Sequence, residues 1–289
     1  MPQVIRSKYD LKAVIKNIKS KRASIGLVPT MGALHQGHLQ LVETANQHYD
    51  VTIATIFVNP TQFNNKADLK KYPKTEEADI EKLSATGCDV IFIPEVKEIY
   101  QKEVTIGLNF GYLEEILEGK HRPGHFNGVG LIVMKLFGLV EPTGAFFGQK
   151  DLQQFRIVST LIADFDLPIK LHLVPIIRET SGLAMSSRNR RLNDAELKIA
   201  TTIYSALHLA KAQLIEGYTQ EMVLDNVERV FREENGIELE YFEIVDEETL
   251  LSKTKVSEGD RLALCVAAFV AGVRLIDNII FEYKECKYR

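Results

Sequence analysis

Residues 25–38 read Ile25-Gly26-Leu27-Val28-Pro29-Thr30-Met31-Gly32-Ala33-Leu34-His35-Gln36-Gly37-His38. The apolar start predicts a buried strand, the glycines a tight loop, and the stretch that follows, with Leu39, Leu41, Val42 and Ala45 at helical spacing, an amphipathic helix beginning near His38. A loop running from a strand into a helix N-terminus favours an anion, because backbone N–H groups there lack intrahelical partners and the helix dipole presents its positive end. Gly32 and Gly37 remove side chains that would block a phosphate. His35 and His38, three residues apart, can then donate hydrogen bonds to one triphosphate. Without its context an H-x-G-H stretch is equally two surface histidines flanking a turn. G-x-G-x-x-G is absent from this loop, which argues against a dinucleotide-binding dehydrogenase.

Outward from the loop the texture is α/β. Leu11, Val14, Ile15 and Ile18 predict a helix before it, and the β-branched runs 51–58 and 90–93 predict further strands after it. Helices are expected over 129–139 and 151–163, with strands over 145–147 and 171–177. Continuous apolar strands alternating with helices imply a Rossmann-like parallel sheet covered on both faces, with ligands beyond the carboxyl ends of its strands. From Asn193 the pattern changes to helices over 195–216 and 219–233, then strands over 239–245, 261–269 and 273–281, an α+β tail. The expected division is a larger Rossmann-like domain, 1–180, and a smaller α+β C-terminal domain, 181–289.

The 289 residues are 45% hydrophobic, enough for a sizeable core, and carry a formal net charge of -4, which disfavours a polyanionic partner such as nucleic acid. Cys88, Cys265 and Cys286 are odd in number and scattered, so neither a disulfide framework nor a zinc site is indicated. The N-terminal residues MPQVIRSKYD lack a signal pattern and no apolar run approaches the length of a membrane span. A cytoplasmic protein that works on small molecules away from membranes is expected.

With the strand before it and the helix after it, the His35–His38 stretch resembles the HIGH signature of the nucleotidyltransferase and class I synthetase superfamily. Five more blocks narrow the resemblance: FVNPTQF at 57–63, DLKKYPKT at 68–75, LEGKHRPGHFNGV at 117–129, AFFGQKDLQQ at 145–154 and RETSGLAMSSRN at 178–189. Their order and spacing resemble the pantothenate synthetase family over most of residues 25–192. The resemblance implies that ATP and pantoate form pantoyl adenylate and pyrophosphate, after which the amine of β-alanine displaces AMP. A carboxylate nucleophile needs no base for the first step, so charge stabilisers are sought here, and not a nucleophile with its base.

Carried over by position, the resemblance gives His35 and His38 the triphosphate, Lys150 the α-phosphate, and Ser186, Ser187 and Arg188 of a KMSKS-like loop the β- and γ-phosphates. Pro29, Thr30, Met31, Gly37, Gly148, Asp151, Ile177 and Met185 join them around ATP, with Asp151 near the ribose. Gln62 and Gln154 correspond to pantoate-binding positions, where a neutral amide can donate and accept without neutralising the nucleophile. Asn59, Tyr72, Glu118, Arg122 and His125 correspond to the pocket wall. By the same resemblance domain 1–180 binds ATP and pantoate and domain 181–289 acts as a lid; the 185–189 cluster could also cap the helix expected from Ala195. Mg²⁺ is expected with ATP, its protein ligands unassigned, and the family is homodimeric. Ser181, Leu131, Ile176 and Arg191 depart from the family pattern, none at a phosphate-contacting position. Another member of the superfamily, moving a nucleotidyl group onto a small phosphorylated acceptor, is the alternative reading.

Overall fold

The computed structural model describes residues 1–64 and 66–284; Cys286 lies outside the described residues. In chain order the elements are β1 (Gln3–Ile5), α1 (Lys8–Ser20), β2 (Ile25–Thr30), α2 (Gln36–His48), β3 (Val51–Ile56), α3 (Lys66–Lys71), α4 (Glu76–Ala85), β4 (Val90–Phe92), α5 (Val96–Ile99), α6 (Leu117–His121), α7 (His125–Val140), β5 (Gly144–Gly148), α8 (Leu152–Asp164) and β6 (Lys170–Val174), followed by α9 (Asp194–Ile215), α10 (Gln220–Glu233), β7 (Ile237–Asp246), β8 (Arg261–Val270) and β9 (Val273–Glu282). Two compact units result, residues 1–149 with 154–175, and residues 150–153 with 176–289.

The first unit is built on a six-stranded sheet in the order β1-β4-β3-β2-β5-β6, every pair parallel. Five of six residues in β2 and in β3 are buried, although neighbouring side chains point to opposite faces, so both faces of the sheet centre are covered. Helix α2 packs on β2, β3 and β5 through Leu41, Val42 and Ala45, and α7 also packs on β2. Connections from β2 lead to β3 on one side, and β5 pairs on the other; this reversal makes the carboxyl end of β2 a topological switch point. The short β1 was not expected from the sequence, because three residues are too few for a period to register.

The second unit holds the antiparallel sheet β7-β8-β9, with a bulge between Leu239 and Tyr241. Ala200, Ile203, Leu207 and Leu214 of α9 and Val223, Val227 and Phe231 of α10 join Leu264, Val266 and Ala268 of β8 in its core. Asn193 starts α9 with a capping box, accepting from Glu196 N at 3.0 Å while Glu196 accepts from Asn193 N at 2.8 Å. No described helix is long and apolar enough to cross a membrane. Cys88 and Cys265 are both buried, and burial pushes the Cys88 thiol up to about 11, which keeps it protonated and unreactive.

One cluster at the far end of α2 ties stability to pH. Tyr49 and His172 share a hydrogen bond of 2.8 Å from the phenol oxygen to Nε2. His172 stacks on Phe146 with centroids 4.4 Å apart, and the His48 ring is 5.1 Å away. Burial, then the neighbouring His48 and Lys170, hold the His172 pKa below the ordinary value. Between the lowered folded value and the ordinary one near 6.5, the unfolded chain binds more protons, so stability falls as pH drops through that window. The urea midpoint is therefore expected to decline from pH 7.5 to 5, less steeply in His172→Gln; equal slopes would remove this cluster as the cause.

Candidate active site

The β2 strand ends in a loop that doubles back before α2 begins. Gly32 at φ +78° and Ala33 at φ +53° both occupy the left-handed region, which is ordinary for glycine and unfavourable for alanine. Asp79 of α4, fully buried, holds them there: its carboxylate accepts from Ala33 N at 2.7 Å, from Leu34 N at 2.8 Å and from the Thr75 hydroxyl at 3.1 Å. Lys82, one turn further along α4, donates to the Leu34 carbonyl at 2.7 Å. Thr30 accepts from Gly32 N at 3.2 Å and donates to the Thr55 carbonyl at 2.5 Å.

The unpartnered backbone N–H groups expected in this loop are thus a correction: those of Gly32, Ala33 and Leu34 already have acceptors. A loop forced through two left-handed residues cannot keep its own turn bonds, and neighbouring side chains supply them instead. What the loop offers an anion is imidazole. His35 and His38 are half-buried, with ring centroids 4.1 Å apart and planes inclined at 44°. His35 N–H donates to His38 Nδ1 at 3.4 Å, a long bond that favours the neutral tautomer with its proton on Nε2.

A second cluster in the same unit surrounds Gln62, which ends the short turn Pro60–Gln62 and is 8% exposed. Its Nε2 donates to the Met31 sulfur at 3.0 Å and its Oε1 accepts from Asn59 Nδ2 at 3.1 Å. Asn59 also donates to the Gly128 carbonyl at 3.0 Å and accepts from the Tyr100 hydroxyl at 2.8 Å. His125 Nδ1 donates to the Gln62 carbonyl at 2.8 Å, so this nitrogen carries a proton. Helix α7 approaches the turn this closely because residue 128 is glycine; a Cβ there would lie 2.3 Å from the Thr61 carbonyl oxygen.

The structure therefore brings Met31, Asn59, Gln62 and His125 together. Gln154 lies in the first turn of α8, half-buried, with no hydrogen bond to Gln62 among the described residues. Glu118 and Arg122 pair at 3.4 Å along α6 and its cap. Tyr72, 9% exposed, meets Phe63 edge-on with centroids 5.8 Å apart. Pro29 is on β2, Gly37 in the first turn of α2, and Gly148 is the last residue of β5.

The remaining candidates belong to the second unit. Lys150 follows β5 in a short turn, its side chain 17% exposed and its Nζ 3.7 Å from Asp151. Residues 177–185 form a hairpin: Met185 N donates to the Ile177 carbonyl at 3.0 Å, Glu179 N to the Leu183 carbonyl at 2.9 Å, and Arg178 bridges Ala184. The hairpin delivers Met185 to the turn Ser187–Arg191, which Ser186 caps by accepting from Arg188 N at 3.3 Å. Capping of the following helix, the alternative considered for this cluster, falls to Asn193. Ser187 is 6% exposed, while Met185, Ser186 and Arg188 are half-buried. Arg178 binds Asp277 of β9 through both guanidinium ends, at 2.6 and 3.0 Å.

Asp79, Lys82, Asp277 and Asn278 escaped the sequence reading. Asp79 sits among Glu76, Glu77 and Glu81 and reads as one more solvated acid. Asp277-Asn278 did carry a signal, two polar residues inside the apolar strand Arg274-Leu275-Ile276-Asp277-Asn278-Ile279-Ile280, and buried polar groups ask for partners.

The chain is similar along its length to the pantothenate synthetase of Cytophaga hutchinsonii, 43% identical over 277 residues, 96% of this chain and 98% of that protein. Similarity to the pantothenate synthetase of Christiangramia forsetii is 46% over 279 residues, again 96% and 98% of the two chains. In fold it resembles the crystal structure of pantothenate synthetase from Thermus thermophilus, with a TM-score of 0.89 at 37% identity over 96% of this chain and 98% of that one. It also resembles pantoate-β-alanine ligase from Francisella tularensis complexed with β-γ ATP and β-alanine, with a TM-score of 0.82 at 33% identity over 97% and 98%. With a family sequence pattern matching residues 3–280, the chain belongs to the pantoate-β-alanine ligase family.

Proposed function

We propose that this enzyme condenses pantoate with β-alanine to give pantothenate, with ATP converted to AMP and pyrophosphate. The observation that carries the reading is the pair of imidazoles set side by side where β2 meets α2, at the switch point of a nucleotide-type sheet, in a chain of this ligase family. The β-γ ATP and β-alanine complexed with the Francisella relative support ATP and β-alanine as ligands here.

In the first step a pantoate carboxylate oxygen attacks the α-phosphorus, the bond to the β-phosphate bridging oxygen breaks, and pyrophosphate leaves. In the second the β-alanine amine attacks the acyl carbon, AMP leaves with the former carboxylate oxygen, and the amine proton passes to solvent or phosphate. His35 and His38 donate to the triphosphate, and Lys150 offsets charge on the α-phosphate oxygens as the phosphorus becomes five-coordinate. Ser186, Ser187 and Arg188 bind the β- and γ-phosphates on a C-terminal lid, with Met185, Pro29, Thr30, Met31, Gly37, Gly148, Asp151 and Ile177 completing the nucleotide contacts.

Pantoate is held by Gln62 and Gln154, with Asn59, Tyr72, Glu118, Arg122 and His125 forming the wall. The hydrogen bonds around Gln62 support its part: its amide donates to Met31 and accepts from Asn59, and its main-chain carbonyl accepts from His125, so the residue is positioned before any ligand arrives. Mg²⁺ belongs to the substrate, carried on the nucleotide phosphates; among the described residues no three His, Cys, Asp or Glu side chains group as a metal site. A homodimer as its assembly rests on the family resemblance, and the cytoplasm as its location on the odd, scattered cysteines.

Pyrophosphate exchange into ATP tests the reading. Exchange is expected with pantoate and without β-alanine, because the adenylate forms reversibly before the amine is needed. Exchange that ignores pantoate, or its absence when pantoate is present, would overturn it.

A further inference from the structure

Strands present successive side chains to opposite faces, so two adjacent buried polar residues must find partners in two directions. Asp277 and Asn278 of β9, each 3% exposed, do this. Asp277 takes the Arg178 guanidinium through both oxygens, at 2.6 and 3.0 Å, and its Oδ1 also accepts from Asn278 N at 2.7 Å. Arg178 in turn donates to the carbonyls of Gly182 at 3.0 Å and Asn278 at 3.2 Å, and lies 4.7 Å from the centre of the Tyr204 ring. On the other side, Asn278 Nδ2 donates to the main-chain carbonyl of Lys150 at 3.1 Å, across 128 residues of sequence.

We propose that Asn278 is a positioning residue for Lys150, and that through this step of β9 the C-terminal sheet sets both the lysine and the Arg178 hairpin that leads to Met185–Arg188. The proposal rests on the reading of Lys150 as the cation at the α-phosphate. A lysine side chain has four rotatable bonds and no fixed fork, so its reach is governed by where its backbone is held. The Asn278 amide holds that backbone at the residue itself. Asp277 does the same for the hairpin, through a guanidinium that four hydrogen bonds orient. One β-strand residue pair therefore aligns groups that the sequence presents as unrelated motifs, and the tail contributes to catalysis through their placement.

A double-mutant cycle on the full-length enzyme tests this, with pantoate-dependent pyrophosphate exchange as the readout and melting temperature as the check that each variant is folded. Asn278→Ala is expected to lower kcat for exchange by about tenfold, given that small misplacements of a catalytic group cost up to 10²-fold, with KM for pantoate unchanged. Asn278→Asp keeps the shape but turns an acceptor toward the Lys150 carbonyl, and is expected to be at least as slow. In the Lys150→Ala background Asn278→Ala should add nothing, because residues that act as one unit are not additive. The same proportional loss in both backgrounds, or a silent Asn278→Ala beside a crippled Lys150→Ala, would overturn the proposal. A silent Lys150→Ala would instead overturn the role given to Lys150 itself.

Discussion

Replacement of Lys150 by alanine is expected to slow pantoate-dependent pyrophosphate exchange by about 10²–10³-fold, the cost of removing one donor aimed at developing charge, while KM for pantoate barely moves. The Lys150 side chain is only 17% exposed, and the one ion pair it makes among the described residues, with Asp151 at 3.7 Å, is too long for a hydrogen bond. The ammonium therefore keeps its donors for another oxygen. Charge on the equatorial oxygens of the α-phosphorus grows only as the carboxylate attacks, so a cation placed there stabilises the transition state more than bound substrates. Loss of such a group appears in kcat and in kcat/KM together, not in KM alone. Steady-state exchange over a range of pantoate and ATP concentrations separates the two outcomes. A Lys150→Ala enzyme that exchanges at the original rate, or that loses only pantoate affinity, removes Lys150 from the chemistry.

What the sequence made legible follows the physical length scale of each feature. The strand-loop-helix of residues 25–48 could be read because its signals are local: an apolar run, glycines at a turn, and a helical period. The parallel sheet followed from alternation of such units, and β7, β8 and β9 from the runs 239–245, 261–269 and 273–281, each lying within a ten-residue strand. The motif blocks were legible as words, since each keeps its candidate residues within about a dozen positions. What escaped depends on partners distant in the chain. Asn278 reaches a carbonyl 128 positions away and Asp79 reaches amides 45 and 46 positions away, and no local pattern encodes either. Grouping of Lys150–Gln153 with residues 176–289, although β5 directly precedes them, is likewise a tertiary fact. The expectation of open backbone N–H groups in the histidine loop missed for the same reason: a loop's donors look unpartnered until the side chain from another helix is in place.

Asp79 carries the other large expected effect. Its substitution by alanine strips acceptors from Ala33 N and Leu34 N, both at fully buried residues, and at about 1–3 kcal/mol for each orphaned donor the loss of stability should be about 4 kcal/mol. The consequence for activity is separate and follows from Ala33. At φ +53° that residue is held in a region an alanine avoids; without the carboxylate it relaxes, and the chain that carries His35 and His38 moves with it. A displacement of about 1 Å is enough to cost 10²-fold in rate. Asp79→Asn keeps the shape and one good acceptor but sets an N–H₂ against a backbone N–H, so it should fall between the two on both scales. Ala33→Gly removes the strain without touching the carboxylate and should leave stability and exchange near their starting values. Urea unfolding gives the stability order. Imidazole nitrogen shifts of His38 give the loop geometry, since the Nε2–H tautomer set by His35 N–H is expected to be lost in Asp79→Ala. An Asp79→Ala protein that unfolds like the original and keeps that tautomer would mean the loop holds its left-handed turn unaided, and the buttress would have no part in presenting the histidines.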